Sequence, residues 1–304
     1  MNIKFIIIEL GSTLTKGYLY EDNKIKELPF EFIEFKKHYS SEKRLLPEDK
    51  EKLFNYINKL KEITPNVHIY GTSIFRIITD EERKDFIAEM KNKTGLSFKI
   101  VSSDEEEKYT VDGIVANIDY PDNIAIVVSG GGSTEIAIVN NKNIIEKLNL
   151  EIGGVDITNL YPDLASDITA TNIDEVVEYI QAKITNLKSK ADLLVTGGGA
   201  TKYFREKAHF KFIDNAPFSY NKDEFVIMNE SYYEQDKDYF YKTSLEEMKK
   251  NMPDTPNWWN PTRAINCFVE AVAKTVGAKY IAASNINMIY GIVEEIINSD
   301  PKNK

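Results

Sequence analysis

Three runs of small residues stand where a chain could grip an anion. Gly130-Gly131-Gly132-Ser133-Thr134 separates two apolar stretches rich in β-branched residues, Gly11-Ser12-Thr13 follows another, and Gly197-Gly198-Gly199 follows a third. Glycines at a strand end let backbone N–H groups approach a ligand closely, and such a nest suits a phosphate, with Ser and Thr hydroxyls as extra donors. The bland alternative for each run is a tight hairpin. Lys16 and Arg76 are the cations best suited to remaining phosphate charge; otherwise they are solvated surface charges. The acidic run Asp104-Glu105-Glu106-Glu107 has two readings. Ser103 with Glu106 fits a capping box at a helix start, where negative charge is also favourable. The other reading gives the run a functional role.

Elements of two periods must position these residues. Residues 3–10 read as a buried strand, 14–20 alternate as its hairpin partner, and 27–35 read as a third strand. Helices are expected over 47–62, starting at Pro47, and over 80–93, stopped by Thr94-Gly95. Strands at 67–70 and 98–101 follow, and the acidic run opens another helix. The pattern then restarts: strand 124–128, the glycine turn, strand 135–139 and strand 143–150. Next come helix 172–188, strand 193–195, helix 262–276, strand 279–282 and helix 285–298. This is repetition at half-chain scale, not a short solenoid period. The boundary is placed near 120, at Asp119-Tyr120-Pro121-Asp122, giving domains 1–120 and 121–304. Segment 214–258 reads as a loop-rich insertion with a helix near 243–251.

Composition narrows the function. The chain has 304 residues and a net charge of −10. That opposes general binding to nucleic acid or to an anionic membrane, which needs a large positive footprint. A polyanion held by local cations and backbone amides stays allowed. The single cysteine, Cys267, excludes a disulfide framework and a Cys-based metal site, and three scattered histidines argue against a His-rich one. The apolar run Phe5–Ile8 is too short for a signal peptide or a membrane span, so a cytoplasmic protein is expected.

Taken in order, the motifs resemble the exopolyphosphatase / guanosine pentaphosphate phosphohydrolase family. Glu9-Leu10-Gly11-Ser12 resembles its first phosphate motif, D-x-G-S. Gly71-Thr72-Ser73 with Arg76 resembles A-T-S-x-x-R. Thr94-Gly95-Leu96 and Val101-Ser102-Ser103-Asp104-Glu105-Glu106 resemble T-G-L…I-S-G-x-E-E. Gly130-Gly131-Gly132-Ser133-Thr134-Glu135 is identical to the core of the second phosphate motif, and Thr196–Thr201 resembles the late glycine motif. Arg263-Ala264 and Ser284…Gly291 resemble the closing helices.

The resemblance implies an α/β fold of two ribonuclease H-like domains flanking a cleft, as in the actin-like ATPase superfamily, here in a short two-domain form. It implies hydrolysis of terminal phosphate from polyphosphate or guanosine pentaphosphate with Mg²⁺. By position Glu106 is the catalytic base. The substrate's phosphates fall to Gly11, Ser12, Thr13, Lys16, Arg76 and Gly130–Thr134, and the metal to Glu9 and Glu135. Phosphoryl transfer is mostly positioning and charge neutralisation, which suits that set.

The departures are specific. Glu9 replaces an aspartate, Val128 replaces a metal-binding aspartate, and Asp156 replaces an arginine. The closing S-D-x-G-L-R-x-G becomes Ser284-Asn285-Ile286-Asn287-Met288-Ile289-Tyr290-Gly291. Mg²⁺ often takes only one or two protein carboxylates, so one lost acid does not abolish it. The alternatives are a sensor that binds polyphosphate or nucleotide without cleaving it, and a small-molecule kinase of the same fold. Trp258-Trp259 is expected to pack the insertion onto the body. Tyr232, Tyr233, Tyr239 and Tyr241 are read as packing or the surface of a homodimer; Asp236 and Asp238 argue against base stacking there.

Overall fold

The computed structural model describes residues 3–11, 14–72, 74–197, 211–250 and 259–299. The chain divides into two compact units, Met1–Thr110 with Met288–Lys304, and Val111–Asn287. The division thus falls within the helix Ser103–Ala116, about ten residues before the position near 120. The C-terminal helix Met288–Ser299 packs with the first unit, not with the second half of the chain.

In the first unit the strands are β1 (Phe5–Leu10), β2 (Leu14–Glu21), β3 (Lys24–Glu27), β4 (Glu31–Phe32), β5 (Val67–Gly71) and β6 (Phe98–Ile100). The sheet runs β3-β2-β1-β5-β6, with β4 beside β2. β1 to β3 form an antiparallel meander; β5 and β6 are parallel to β1 and to each other. Alternate β1 residues bury opposite faces. Ile6, Ile8 and Leu10 meet Leu53, Ile57, Phe75 and Phe86, whereas Phe5 and Ile7 meet Tyr109, Ile289 and Ile292. Burial on both faces is why β1 reads as a continuous apolar run.

The second unit repeats the plan with β7 (Ile118–Asp119), β8 (Ile124–Ser129), β9 (Thr134–Asn140), β10 (Asn143–Leu150), β11 (Leu193–Thr196), β12 (Ser219–Tyr220), β13 (Phe225–Asn229) and β14 (Tyr280–Ser284). Its main sheet is β10-β9-β8-β11-β14-β13, the same order plus an antiparallel edge strand; β12 pairs with β7. The hairpins match in detail. Asp22-Asn23 and Asn141-Lys142 both take positive φ in two-residue turns, the geometry that suits strand twist.

Two further expectations are corrected. The third strand is not 27–35: the Asp22-Asn23 turn sends the chain straight back at Lys24, and Phe35–Glu42 is a helix. The described part of the segment 214–258, up to 250, is not loop-rich. It holds β12, β13 and helices Glu230–Asp236, Asp238–Lys242 and Leu245–Lys250. These short helices form because Tyr233, Phe240, Tyr241, Leu245 and Met248 bury against the core. Tyr233 and Tyr241 therefore belong to the interior, with Tyr232 and Tyr239 packed partly against it, so the packing reading holds for this cluster. Trp259 is fully buried, as the packing reading requires; Trp258 lies outside the described residues.

Candidate active site

In the first unit the chemistry gathers at the ends of β1, β5 and β6. Register aligns Lys16, Glu9, Tyr70 and Lys99 as neighbours across β2, β1, β5 and β6, so the four share one face of the sheet. Past β5, Arg76 sits on the short helix Ile74–Ile77. Past β6, Glu106 sits in the first turn of the helix Ser103–Ala116. Arg76 Nη1 donates to Glu106 Oε2 at 2.8 Å and to the Val101 carbonyl at 2.8 Å. The backbone bond anchors the guanidinium, so Arg76 is fixed rather than loosely solvated.

The helix start separates the two readings of the acidic run. The capping box is Ser102 with Glu105: the Glu105 N–H donates to Ser102 Oγ at 3.1 Å, and the Ser102 N–H donates to Glu105 Oε2 at 2.9 Å. The expected Ser103–Glu106 box is therefore shifted by one residue. Ser102 and Ser103 are equally able caps in sequence, and the helix begins at the later one. Glu106 is left with no capping duty.

Glu9 is a half-buried carboxylate on a strand. Its cross-strand neighbour is Lys16, and the Tyr18 hydroxyl lies 3.5 Å from Glu9 Oε2, at the outer limit of a hydrogen bond. Burial pushes the Glu9 carboxyl above its ordinary value, Lys16 pulls it back, and the charge of Glu106 adds to the rise. Glu106 thus lies within electrostatic reach of Glu9. A desolvated carboxylate near one cation and within reach of a second carboxylate is the kind of perturbed group that active sites use. The sign of its linkage is definite. A raised acid disfavours its own ionised form in the fold, so the penalty grows as pH rises through and above the ordinary glutamate range. Glu9→Gln should match the wild-type melting temperature near pH 4.5 and exceed it at pH 8. Equal melting temperatures at both pH values would show that Glu9 carries no desolvation penalty.

The two glycine turns are built alike but use glycine differently. Gly11 N–H donates to Leu14 O at 3.0 Å and Gly130 N–H to Ser133 O at 2.9 Å, closing loops of the same length. A Cβ on Gly11 would meet Leu14 O at 2.6 Å, so that turn itself demands glycine. Ser12 and Thr13 lie outside the described residues. A Cβ on Gly132 would meet nothing within 4 Å, and one on Gly130 nothing nearer than 3.7 Å; neither glycine takes positive φ. Their own fold does not require them to be glycine. They leave exposed backbone with free space beside it, which a phosphate nest uses.

Support for the second loop comes from a contact absent from the sequence reading. A Cβ on Gly153 would lie 2.5 Å from Gly130 O, so glycine there lets the helix Gly154–Leu160 abut the loop. Its N–H groups at Gly154 and Val155 donate to Gly130 O and Gly131 O, both at 2.8 Å. Asp156 accepts from the Gly153 N–H at 2.9 Å and thereby caps its own helix. Thr134 Oγ1 donates to Ile152 O at 3.0 Å and pairs with Ser129 Oγ at 2.9 Å. Ser133 is half-buried at the loop. Thr15, the matching residue in the first unit, faces Leu10 instead of a serine, and its buried hydroxyl is left unbonded. Glu135 lies directly across from Val128, so the two share a face. Among the described residues no three His, Cys, Asp or Glu side chains cluster to hold a metal. In the late glycine run only Gly197 is described, beside Val128.

Two α/β units of matching strand order, each with a glycine hairpin, define a duplicated fold of the actin-like ATPase type. The chain belongs to the Ppx/GppA phosphatase family, whose model matches residues 32–238. The fold is shared with the type II variant of the Aquifex aeolicus Ppx/GppA phosphatase. The TM-score is 0.79 at 15% identity, over 96% of this chain and 99% of that one. An exopolyphosphatase from Cytophaga hutchinsonii gives 0.68 at 15% identity, over 97% and 98%. A bifunctional 3-dehydroquinate synthase/phosphatase from Fusobacterium nucleatum is 32% identical over 108 residues, 34% of this chain. That match spans 16% of the relative's length. Among the described residues no helix is long and apolar enough to cross a membrane.

Proposed function

We propose that the chain hydrolyses the terminal phosphoanhydride of a linear polyphosphate or a nucleoside polyphosphate such as guanosine pentaphosphate. The observation that carries this is the division of labour at the helix start: Glu105 caps, and Glu106 faces Arg76 within electrostatic reach of Glu9. Glu106 takes a proton from water as the water oxygen bonds to the terminal phosphorus. The anhydride P–O bond breaks, and the shortened chain leaves with the electron pair. In the first unit Arg76 and Lys16 offset phosphate charge; in the second the backbone of Gly130–Gly132 and the Ser133 hydroxyl offer donors, whereas the expected donor Thr134 is buried with its hydroxyl given to Ile152 O and serves the loop instead. A polar base needs only reach of the attacking water.

The donor set fits Mg²⁺ only as an ion that arrives with phosphate. In the first unit Glu9, and in the second Glu135, would hold it, and the remaining ligands would be phosphate and water. Bound there, Mg²⁺ would neutralise charge on the phosphates. The lost aspartate at Val128 favours a second reading, a binding protein with weak or no turnover. Val128→Asp would set a carboxylate opposite Glu135. It should tighten Mg²⁺ binding, measured by titration, and raise turnover several-fold. A folded variant with unchanged Mg²⁺ affinity would remove this position from metal binding. The terminal mode is tested by resolving long-chain polyphosphate on a gel during reaction. Stepwise shortening with orthophosphate as the small product is expected; short oligophosphates would overturn it.

A further inference from the structure

The Glu106-bearing helix is held on the flank next to Glu106 by a network that the sequence motifs do not mark. Tyr109 is buried one turn beyond Glu106. Its hydroxyl accepts from Lys99 Nζ at 3.0 Å and donates to Glu295 Oε2 at 2.9 Å. Lys99 also pairs with Glu105 Oε1 at 2.9 Å, and Glu105 is the capping residue. Glu295 lies on the helix Met288–Ser299, which meets the same place in backbone contact. A Cβ on Gly291 would fall 2.1 Å from Tyr109 O and 2.6 Å from its Cα. Glu105 and Tyr109, four residues apart, share one side of their helix, and Glu106 projects beside them, about 100° from Glu105 and about 60° from Tyr109.

Resting on the reading of Glu106 as the base, we propose that Tyr109, with Lys99, Glu295 and Gly291, is a positioning device. It sets the rotation of the helix about its axis and so the place of the Glu106 carboxylate. The lever arm is short and sensitive. A carboxylate roughly 6 Å from a helix axis moves about 1 Å for a rotation of about 10°, and an error near 1 Å can cost on the order of 10²-fold in rate. The hydroxyl of Tyr109 is the joint: it ties the end of β6 to the C-terminal helix. Gly291 sets the depth of that contact, because any side chain there must push the helices apart. None of these four residues needs to touch substrate.

The test is a kinetic cycle on full-length protein with tripolyphosphate. Tyr109→Phe keeps the ring and removes the joint. It should lower kcat roughly 5–20-fold, leave KM within about twofold, and add no further loss in a Glu106→Gln background. Glu295→Gln should show the same pattern more weakly. Gly291→Ala should lower kcat further; if it fails to fold, the other two variants decide. Wild-type kcat in Tyr109→Phe, a loss seen in KM alone, or a full additional loss in the Glu106→Gln background would each overturn the proposal. The cycle separates this from the underlying reading. A Glu106→Gln enzyme as fast as wild type removes the base, and the proposal with it, whereas a slow Glu106→Gln with a fast Tyr109→Phe removes only the positioning role.

Discussion

Glu106→Gln should lower phosphate release by roughly 10²–10⁴-fold, the range of general-base catalysis. Glutamine keeps the size of the side chain and a carbonyl oxygen for Arg76, but cannot take the proton of the attacking water. The capping box is made by Ser102 and Glu105, so the substitution leaves the helix start intact. The melting temperature should therefore hold within a few degrees. Substrate binding, measured by titration with tripolyphosphate, should also hold, because Arg76 keeps its anchor on Val101 O. Equal turnover in wild type and variant would remove Glu106 from the mechanism. A large fall in stability would mean that its bond to Arg76 serves the fold.

The largest effect on stability is expected at Arg263. Its side chain is fully buried near the start of the helix Thr262–Val276, and all five N–H donors are used. Nε donates to Phe240 O, Nη1 to Leu164 O and Ser166 O, and Nη2 to Asp167 O and Thr243 O, at 2.6–2.9 Å. One guanidinium thus ties the segments around 164–167 and 240–243 to that helix. Arg263→Leu leaves five carbonyls without this partner, and a buried group so stranded costs about 1–3 kcal/mol. Even with partial relaxation the loss should exceed about 4 kcal/mol, or roughly 10 °C in melting temperature. Arg263→Lys should recover little, because an ammonium cannot reproduce the planar fork. A melting temperature for Arg263→Lys within about 2 °C of wild type would refute this account of the site.

Much of the architecture was legible because its signals are local. The β-branched runs ending in glycine marked β1, β8 and β11, and Pro47, Gly95 and Gly277 punctuate their helices where the pattern placed them. Lys24–Glu27 escaped because it is a short, mostly polar edge strand whose one apolar residue, Ile25, makes no alternation to read. The helix expected near 243–251 is Leu245–Lys250, but those at 230–242 escaped because Tyr and Phe there are interrupted by acids; their burial depends on partners such as Asn266 and Glu270, which bond Tyr233 and Tyr241 from a distant helix. The assignment of Met288–Ser299 to the first unit is a long-range packing fact, and no local pattern encodes it. In the site, the motif spacing picked out Arg76 and Glu106. It missed by one residue which glutamate caps, since that choice turns on the backbone at Ser102. The Tyr109–Glu295 bond spans 186 positions and carries no motif at all.

The central claim is that this chain cleaves phosphoanhydrides rather than only binding them. It is tested most directly by orthophosphate release from tripolyphosphate, long-chain polyphosphate and guanosine pentaphosphate, each with and without Mg²⁺, on the wild-type chain. The account predicts Mg²⁺-stimulated release from at least one of the three, abolished to background by Glu106→Gln. Tight binding of these same polyphosphates with no release from any of them, at any Mg²⁺ concentration, would contradict it and make the protein a sensor.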